Sequence, residues 1–187
     1  MSLVDLVAQA DERGLAASGL ACLDRCVPLL GGDDEVLRPL WASLVDGEAW
    51  EERLAGVRAK LDAGVPEGGP ADEDEAALLT RRMLDAVPAA PSGTALREWA
   101  EACSEAALRV HRLLDAADDG PFPVSARREG RTDGMSPLVA AELRRQITVL
   151  ELLADHGAGG LRPALDASTE GRRVLRAVVS RRARGRV

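Results

Sequence analysis

Few residues in this sequence have the chemistry of an acid–base catalyst. The only two histidines are His111 and His156. Asp115 follows His111 by four positions, so the two side chains share one face of a helix and could form an acid–base pair or supply two metal ligands. His111 lies at the flank of an apolar stripe, however, where a histidine with a neighbouring acid is usually structural. His156 lies where a helix runs out, and there a cationic side chain interacts favourably with the helix dipole.

The acids and cysteines do not match a metal or nucleophile motif. A di-metal helical bundle uses Glu-x-x-His motifs that face the core, but leucines stand three positions before both histidines. Cys22 and Cys26 lack the second Cys or His pair of a zinc site, and no serine lies in a G-x-S-x-G turn. The sequence therefore predicts a non-enzymatic protein without a cofactor, a metal or catalytic residues.

One polar residue interrupts an apolar helix face. Gln146 lies within the broad apolar arc of a helix predicted at 137–155. A buried amide without a partner costs about 1–3 kcal/mol, so Gln146 either binds the backbone of a neighbouring helix or lines a small pocket. We expect the first. A small-molecule-binding bundle, with a site near Gln146 or His111, is an alternative. The width of the arc also predicts that this helix is central.

The closing segment, residues 171–187, carries seven arginines and no acid, although the chain has a formal charge of −7. Residues 1–170 therefore carry a charge of −14. We expect a final helix that packs Val174, Leu175, Val178 and Val179 on the bundle and turns its arginines to this acidic body. Binding to nucleic-acid phosphates or to an anionic membrane is disfavoured, because the body repels polyanions. The candidate interaction residues here are Arg172, Arg173, Arg176, Arg181 and Arg182.

Hydrophobic spacing of three and four recurs along the chain, while period-two alternation is almost absent. The predicted helices cover residues 3–12, 15–27, 39–45, 50–61, a segment capped at Asp72, 94–117, 137–155 and 161–182. Gly14 is predicted to break the first helix from the second. Ser136 and Pro137 are predicted to be the N-cap and first residue of their helix.

These elements predict an all-α protein, a single domain over residues 1–187 that forms a bundle of about six to eight helices. A long loop is expected at about 118–136 and a frayed basic C-terminus at about 182–187. An α-solenoid is less favoured because the sequence shows no internal repeat.

Composition indicates the compartment. Charged residues make up 29% and hydrophobic residues 46% of the chain, as in ordinary globular proteins. The three cysteines, an odd number, argue against a disulfide framework. The N-terminal residues do not resemble a signal peptide, and no apolar run reaches the roughly 18 residues of a membrane span. We therefore expect a cytoplasmic protein, and we attribute the excess of arginine over lysine to a GC-rich bacterial genome.

Function is predicted by exclusion. The favoured hypothesis is a protein–protein interaction, scaffold or regulatory module, with self-association included. Leu108, which lies opposite the main stripe of its helix, and Phe122, which stands between two prolines, are the candidates for an exposed apolar contact. A nucleic-acid-associated regulator that uses the arginine-rich C-terminal helix is the alternative from a different class.

Overall fold

A computed structural model of the chain describes residues 1–62 and 71–185, apart from the side chain of Asp72. The all-α prediction is confirmed: 78% of the chain is helical, and the described residues contain no strand. The helices are α1 (Leu3–Gln9), α2 (Glu12–Cys26), α3 (Arg38–Asp46), α4 (Trp50–Asp62), α5 (Ala71–Asp85), α6 (Gly93–Leu114), α7 (Val124–Arg128), α8 (Pro137–His156) and α9 (Leu161–Arg184). A 3₁₀ turn at Val27–Leu30 extends α2, and another at Gly157–Gly160 joins α8 to α9.

Helix α2 is the centre of the bundle. Every residue from Gly14 to Cys26 is buried, and α2 packs against α3, α5, α6, α8 and α9. Small residues allow this close approach: a Cβ on Gly19 would lie 2.5 Å from a ring carbon of Trp99. The prediction that the helix at 137–155 is central is therefore only half right. Helix α8 is covered by α1, α2, α6 and α9, but α2 is buried more completely.

The predicted break at Gly14 is wrong. Helix α1 ends at Gln9, and α2 begins at Glu12 with Gly14 in its first turn. The carboxylate of Asp11 caps α2 by accepting a 2.7 Å hydrogen bond from the backbone N–H of Gly14. The chain thus turns at Asp11, the N-cap residue, and Gly14 provides the backbone N–H that Asp11 caps.

Proline and capping signals place other helix ends correctly. Pro39 lies in the first turn of α3, and Ser136 and Pro137 are the N-cap and first residue of α8. The predicted capping box at Asp72 lies outside the described residues.

The segment at 118–136 is not a bare loop, because it contains the short helix α7. Arg127 is buried and donates hydrogen bonds to the carbonyl oxygens of Asp119, Arg131 and Asp133. A helix of five residues is too short to show helical periodicity, so the sequence pattern could not predict α7. Arg112 of α6 also donates to the carbonyl oxygens of Gly120 and Phe122, so two arginines hold the backbone of the segment in place.

Two further expectations need correction. Leu108 is fully buried, because α6 packs against α2 and α5 and also against α8, so its second face is covered as well. The C-terminal helix continues to Arg184, beyond the predicted start of fraying at about 182.

Candidate functional site

Two of the predicted residues, His111 and Gln146, meet in one cluster, which we call the buried polar centre. It consists of Arg25, Ser104, His111, Glu142 and Gln146, from helices α2, α6 and α8, all at most 1% exposed. Arg25 donates to both carboxylate oxygens of Glu142, from Nε at 2.7 Å and from Nη2 at 2.6 Å. This planar, two-point geometry is the strongest form of ion pair available to side chains.

Gln146 connects this ion pair to α6. Its amide nitrogen donates to Glu142 Oε1 at 2.9 Å and to the backbone oxygen of Ser104 at 3.2 Å. Its oxygen accepts from the Ser104 hydroxyl at 2.7 Å. Gln146 thus binds a neighbouring helix, which is the role we expected over a pocket. The Ser104 hydroxyl also accepts from Arg128 at 3.0 Å, which links the centre to the edge of the bundle.

His111 adds a titratable group to the centre. Its Nδ1 lies 2.7 Å from the backbone oxygen of Ala107, so Nδ1 carries the proton and donates. Its Nε2 lies 3.5 Å from Glu142 Oε2. Burial lowers the pKa of His111 more than Glu142 raises it, and Arg25 also lowers it. The neutral imidazole is favoured because Arg25 already balances the charge of Glu142.

Glu142 keeps its charge in spite of burial. Desolvation opposes the carboxylate, but the charge of Arg25 and the hydrogen bonds from Arg25 and Gln146 favour it, and the pKa of Glu142 lies below its ordinary value. Asp115, the acid predicted as a partner of His111, instead accepts a 2.7 Å hydrogen bond from the backbone N–H of Leu138 at the start of α8. The predicted His111–Asp115 pair is therefore not formed.

The chemistry of the buried polar centre is structural. None of its five side chains lines the surface cavities described below. The thiol of Cys22 touches the centre, but burial raises its pKa to about 12, and burial also raises the pKa of Cys26 and of Cys103. These thiols are therefore inert, and the geometry counts against a pocket at His111 and Gln146.

The sequence reasoning missed Arg25, Asp24 and Glu142. A signal existed for the first two, since they are the only charged residues between Gly14 and Cys26, a stretch of α2 that is otherwise small or apolar. Glu142 lies four residues before Gln146 and so shares its buried face.

The arginines of α9 bind the acidic body, as the favoured interpretation expected. Arg172 donates to Asp24 at 2.5 Å, Arg176 lies 3.0 Å from Asp34, and Arg182 lies 3.3 Å from Glu73. Leu175 is fully buried, while Val174, Val178 and Val179 are partly buried against the core. Arg173 and Arg181 are exposed. A role of these residues in binding a partner stays a prediction.

Phe122 packs on arginines of its own segment. Its ring lies 5.4 Å from the guanidinium carbon of Arg127 and 5.6 Å from that of Arg131, distances typical of cation–π contacts. The side chain is half-buried. These contacts within the chain account for the position of Phe122, so no partner protein is needed to explain it.

A concave surface lies along α5 and α6, and we call it the α5–α6 groove. Two adjoining cavities of about 310 and 600 Å³ form it and share Glu105 and Arg109. The apolar lining of its smaller cavity consists of Leu79 and Met83 of α5, Ala86 just after α5, and Trp99, Ala102, Cys103 and Ala106 of α6. Leu78, on α5, is half exposed.

The charges at the groove are available to a ligand. Arg82 on α5 has no ion-pair or hydrogen-bond partner within residues 1–62 and 71–185, and it lines the groove beside Arg109 of α6. Arg109 lies 3.8 Å from Glu75, and both side chains are about half exposed. The smaller cavity thus carries two arginines and one acid, Glu105, on a chain whose formal charge is −7.

Within the described ranges, no group of three or more His, Cys, Asp or Glu side chains is placed to hold a metal ion. Likewise, no helix in the described part of the chain is long and apolar enough to cross a membrane. Comparison with protein-family models, with curated proteins and with solved structures finds no match to this chain.

Proposed function

We propose that this protein is a non-enzymatic interaction module that binds an amphipathic helix of a partner protein in the α5–α6 groove. The observation that carries the proposal is an apolar trough between two helices, with an arginine on each helix and a larger cavity at one end that Pro123 and Val124 also line. Two packed helices present a groove into which a third helix fits by its apolar face.

The groove defines the chemistry of the partner. Helix α5 has 15 residues and is about 22 Å long, so the partner helix spans about 12–15 residues. Ala86 and Ala102 are exposed and small, which lets a partner backbone come close, and leucine-sized side chains fill the space above Met83 and Trp99. Carboxylates on the flank of the partner helix pair with Arg82 and Arg109. The module is thus one for an acidic amphipathic helix.

We place this interaction in the bacterial cytoplasm. The three free, buried cysteines support a reducing compartment. Arg172, Arg176 and Arg182 of α9 are engaged with acids of the same chain, which counts against nucleic acid as a second partner.

A photo-crosslinking amino acid at Ala102 tests the proposal in cells of the source organism. We expect a crosslink to a partner segment that forms an acidic amphipathic helix, and no such crosslink from the matched exposed position Ala59 on α4. A synthetic peptide of that segment should then bind the purified protein. Ala102→Glu should weaken this binding more than tenfold, because it places a carboxylate against the apolar and acidic face of the peptide, whereas Ala59→Glu should leave it unchanged.

Three results would overturn the proposal: equal crosslinking from both positions, crosslinking only to a second copy of this chain, or peptide binding that Ala102→Glu does not affect. Both substituted positions are exposed, so a folding defect does not confuse the outcome.

A further inference from the structure

Two charged residues of α6, Glu105 and Arg109, lie where the two cavities of the α5–α6 groove adjoin. Both residues line both cavities. The other charged residues of the groove line one cavity each, Arg82 the smaller one and Glu75 and Arg112 the larger one. Arg112 is also engaged with backbone carbonyl oxygens of the segment before α7. A helix that lies through the whole groove therefore passes over Glu105 and Arg109.

The spacing of these two residues presents two opposite charges on one side of the groove. Glu105 and Arg109 are four positions apart, so they share one face of α6 and lie about 6 Å apart along its axis. Both side chains are exposed. Within the described residues, Glu105 has no hydrogen-bond or ion-pair partner, while Arg109 lies 3.8 Å from Glu75. The carboxylate of Glu105 is thus open to a ligand in the groove.

The charge of α5 completes the order of charges along the groove. Arg82 is seven positions from Glu75, which lies beside Arg109, so Arg82 and Arg109 are about 10 Å apart along the groove. Helices α5 and α6 run antiparallel, and Glu105 therefore lies between the two arginines in this direction. Positive, negative and positive charges follow one another along the apolar trough. The complement of this order is an acidic helix that carries one basic residue.

We propose that Glu105 determines which acidic helix the groove accepts, by pairing with a basic side chain of the partner. This basic residue lies four positions from the acidic residue that pairs with Arg109, because helices that lie side by side have the same rise per residue. The order of the two residues depends on the direction in which the partner helix runs. A helix with acids at both positions places a carboxylate against Glu105, and that repulsion excludes it. This inference rests on the function proposed above.

Charge reversal tests the pairing with a synthetic peptide of the segment that is crosslinked from Ala102. We expect this segment to contain a basic and an acidic residue four positions apart. In calorimetry, Glu105→Lys should weaken binding of the peptide at least tenfold, because it replaces attraction by repulsion. A second peptide, with glutamate in place of the basic residue, should bind the Glu105→Lys protein at least tenfold more tightly than the wild type. Glu105→Gln should weaken binding of the first peptide about twofold to fivefold, the value of an exposed ion pair.

Glu151→Lys is the matched control, since Glu151 is exposed on α8 and lines neither cavity of the groove. It makes the same change in net charge and should leave both affinities unchanged. Glu105 and Glu151 are both exposed, so neither substitution should disturb folding.

The inference alone is overturned if Ala102→Glu weakens binding of the peptide but Glu105→Lys does not. The same holds if Glu105→Lys and Glu151→Lys have equal effects, or if the second peptide does not prefer the Glu105→Lys protein. If no peptide binds in the groove, the proposed function and this inference are both wrong.

Discussion

Asp24 and Arg25 are neighbours in the sequence, are both buried and charged, and have opposite surroundings. Arg25 makes a two-point ion pair with Glu142, and the groups around it are joined by hydrogen bonds in the buried polar centre. Asp24 pairs with Arg172 through Oδ1, while its second oxygen, Oδ2, makes no well-formed hydrogen bond within the described residues, although the Trp41 indole lies near the carboxylate. Two adjacent residues of α2 thus belong to two different networks. We call that of Arg25 and Glu142 the closed network and that of Asp24 and Arg172 the open network.

The two networks are two ways in which a helical bundle can hold buried charge. A buried ion pair contributes little net stability, because desolvation offsets the attraction, but removing one partner is costly. Arg25 pairs with both oxygens of Glu142. Asp24 pairs with Arg172 through one oxygen, and burial raises the pKa of Asp24 to about 6 against the attraction of Arg172.

The largest effect is expected from breaking the closed network. Glu142→Gln leaves the buried guanidinium of Arg25 without a counter-charge, so the free energy of unfolding should fall by about 3–5 kcal/mol in a urea titration. Glu101→Gln is the matched control, since Glu101 pairs with Arg128 at a partly exposed position, and about 1 kcal/mol or less is expected there. A similar, small loss in both variants would show that the buried Arg25–Glu142 pair matters no more to stability than a partly exposed pair.

A smaller effect is expected from Arg172→Met, which breaks the open network. Asp24 can take up a proton once Arg172 is gone, so the loss at pH 7 should be about 1–3 kcal/mol. Arg173→Met, at the next and exposed position, should change stability by less than about 0.5 kcal/mol.

The pH dependence of the Arg172→Met loss checks its cause. Removing Arg172 raises the pKa of Asp24 further above its unfolded value, so the folded variant binds a proton that the unfolded chain does not. Its unfolding free energy should therefore rise as the pH falls from 7 to 5, and the difference from the wild type should shrink. A loss of the same size at both pH values would mean that Arg172 stabilises the fold through packing and not by compensating the charge of Asp24.

The sequence predicts the helices better than their contacts. Helix periodicity is local, so the spans of α6, α8 and α9 can be read from residues three and four apart. Gln146 was found because a polar side chain in an apolar arc must have a partner, but that partner network includes Arg25, which is more than a hundred positions away. Leu108 was misplaced for the same reason: its burial depends on α8, which packs on α6 from elsewhere in the chain. No local spacing encodes which helix covers which face.

The smallest effect concerns His111, the histidine of the buried polar centre. The folded-state pKa of His111 lies below its unfolded value of about 6.5, so the unfolded chain binds a proton that the folded chain rejects. His111 therefore lowers the free energy of unfolding as the pH falls through about 6.5. Asp24 acts in the opposite sense, because its folded pKa of about 6 lies above its unfolded value and stability is gained as the pH falls.

His111→Asn separates the two contributions, because the asparagine amide can donate to the carbonyl oxygen of Ala107 but does not titrate. Between pH 7 and 5 the unfolding free energy of the variant should rise relative to that of the wild type, with a slope of at most about 1.4 kcal/mol per pH unit, the limit for one proton. The groups that face the imidazole are Glu142, Arg25 and Arg145, and the substitution changes none of them. A slope of the opposite sign would mean that His111 is a cation in the folded protein. The closed network would then hold two positive charges, Arg25 and His111, against the one negative charge of Glu142, and its charges would not balance.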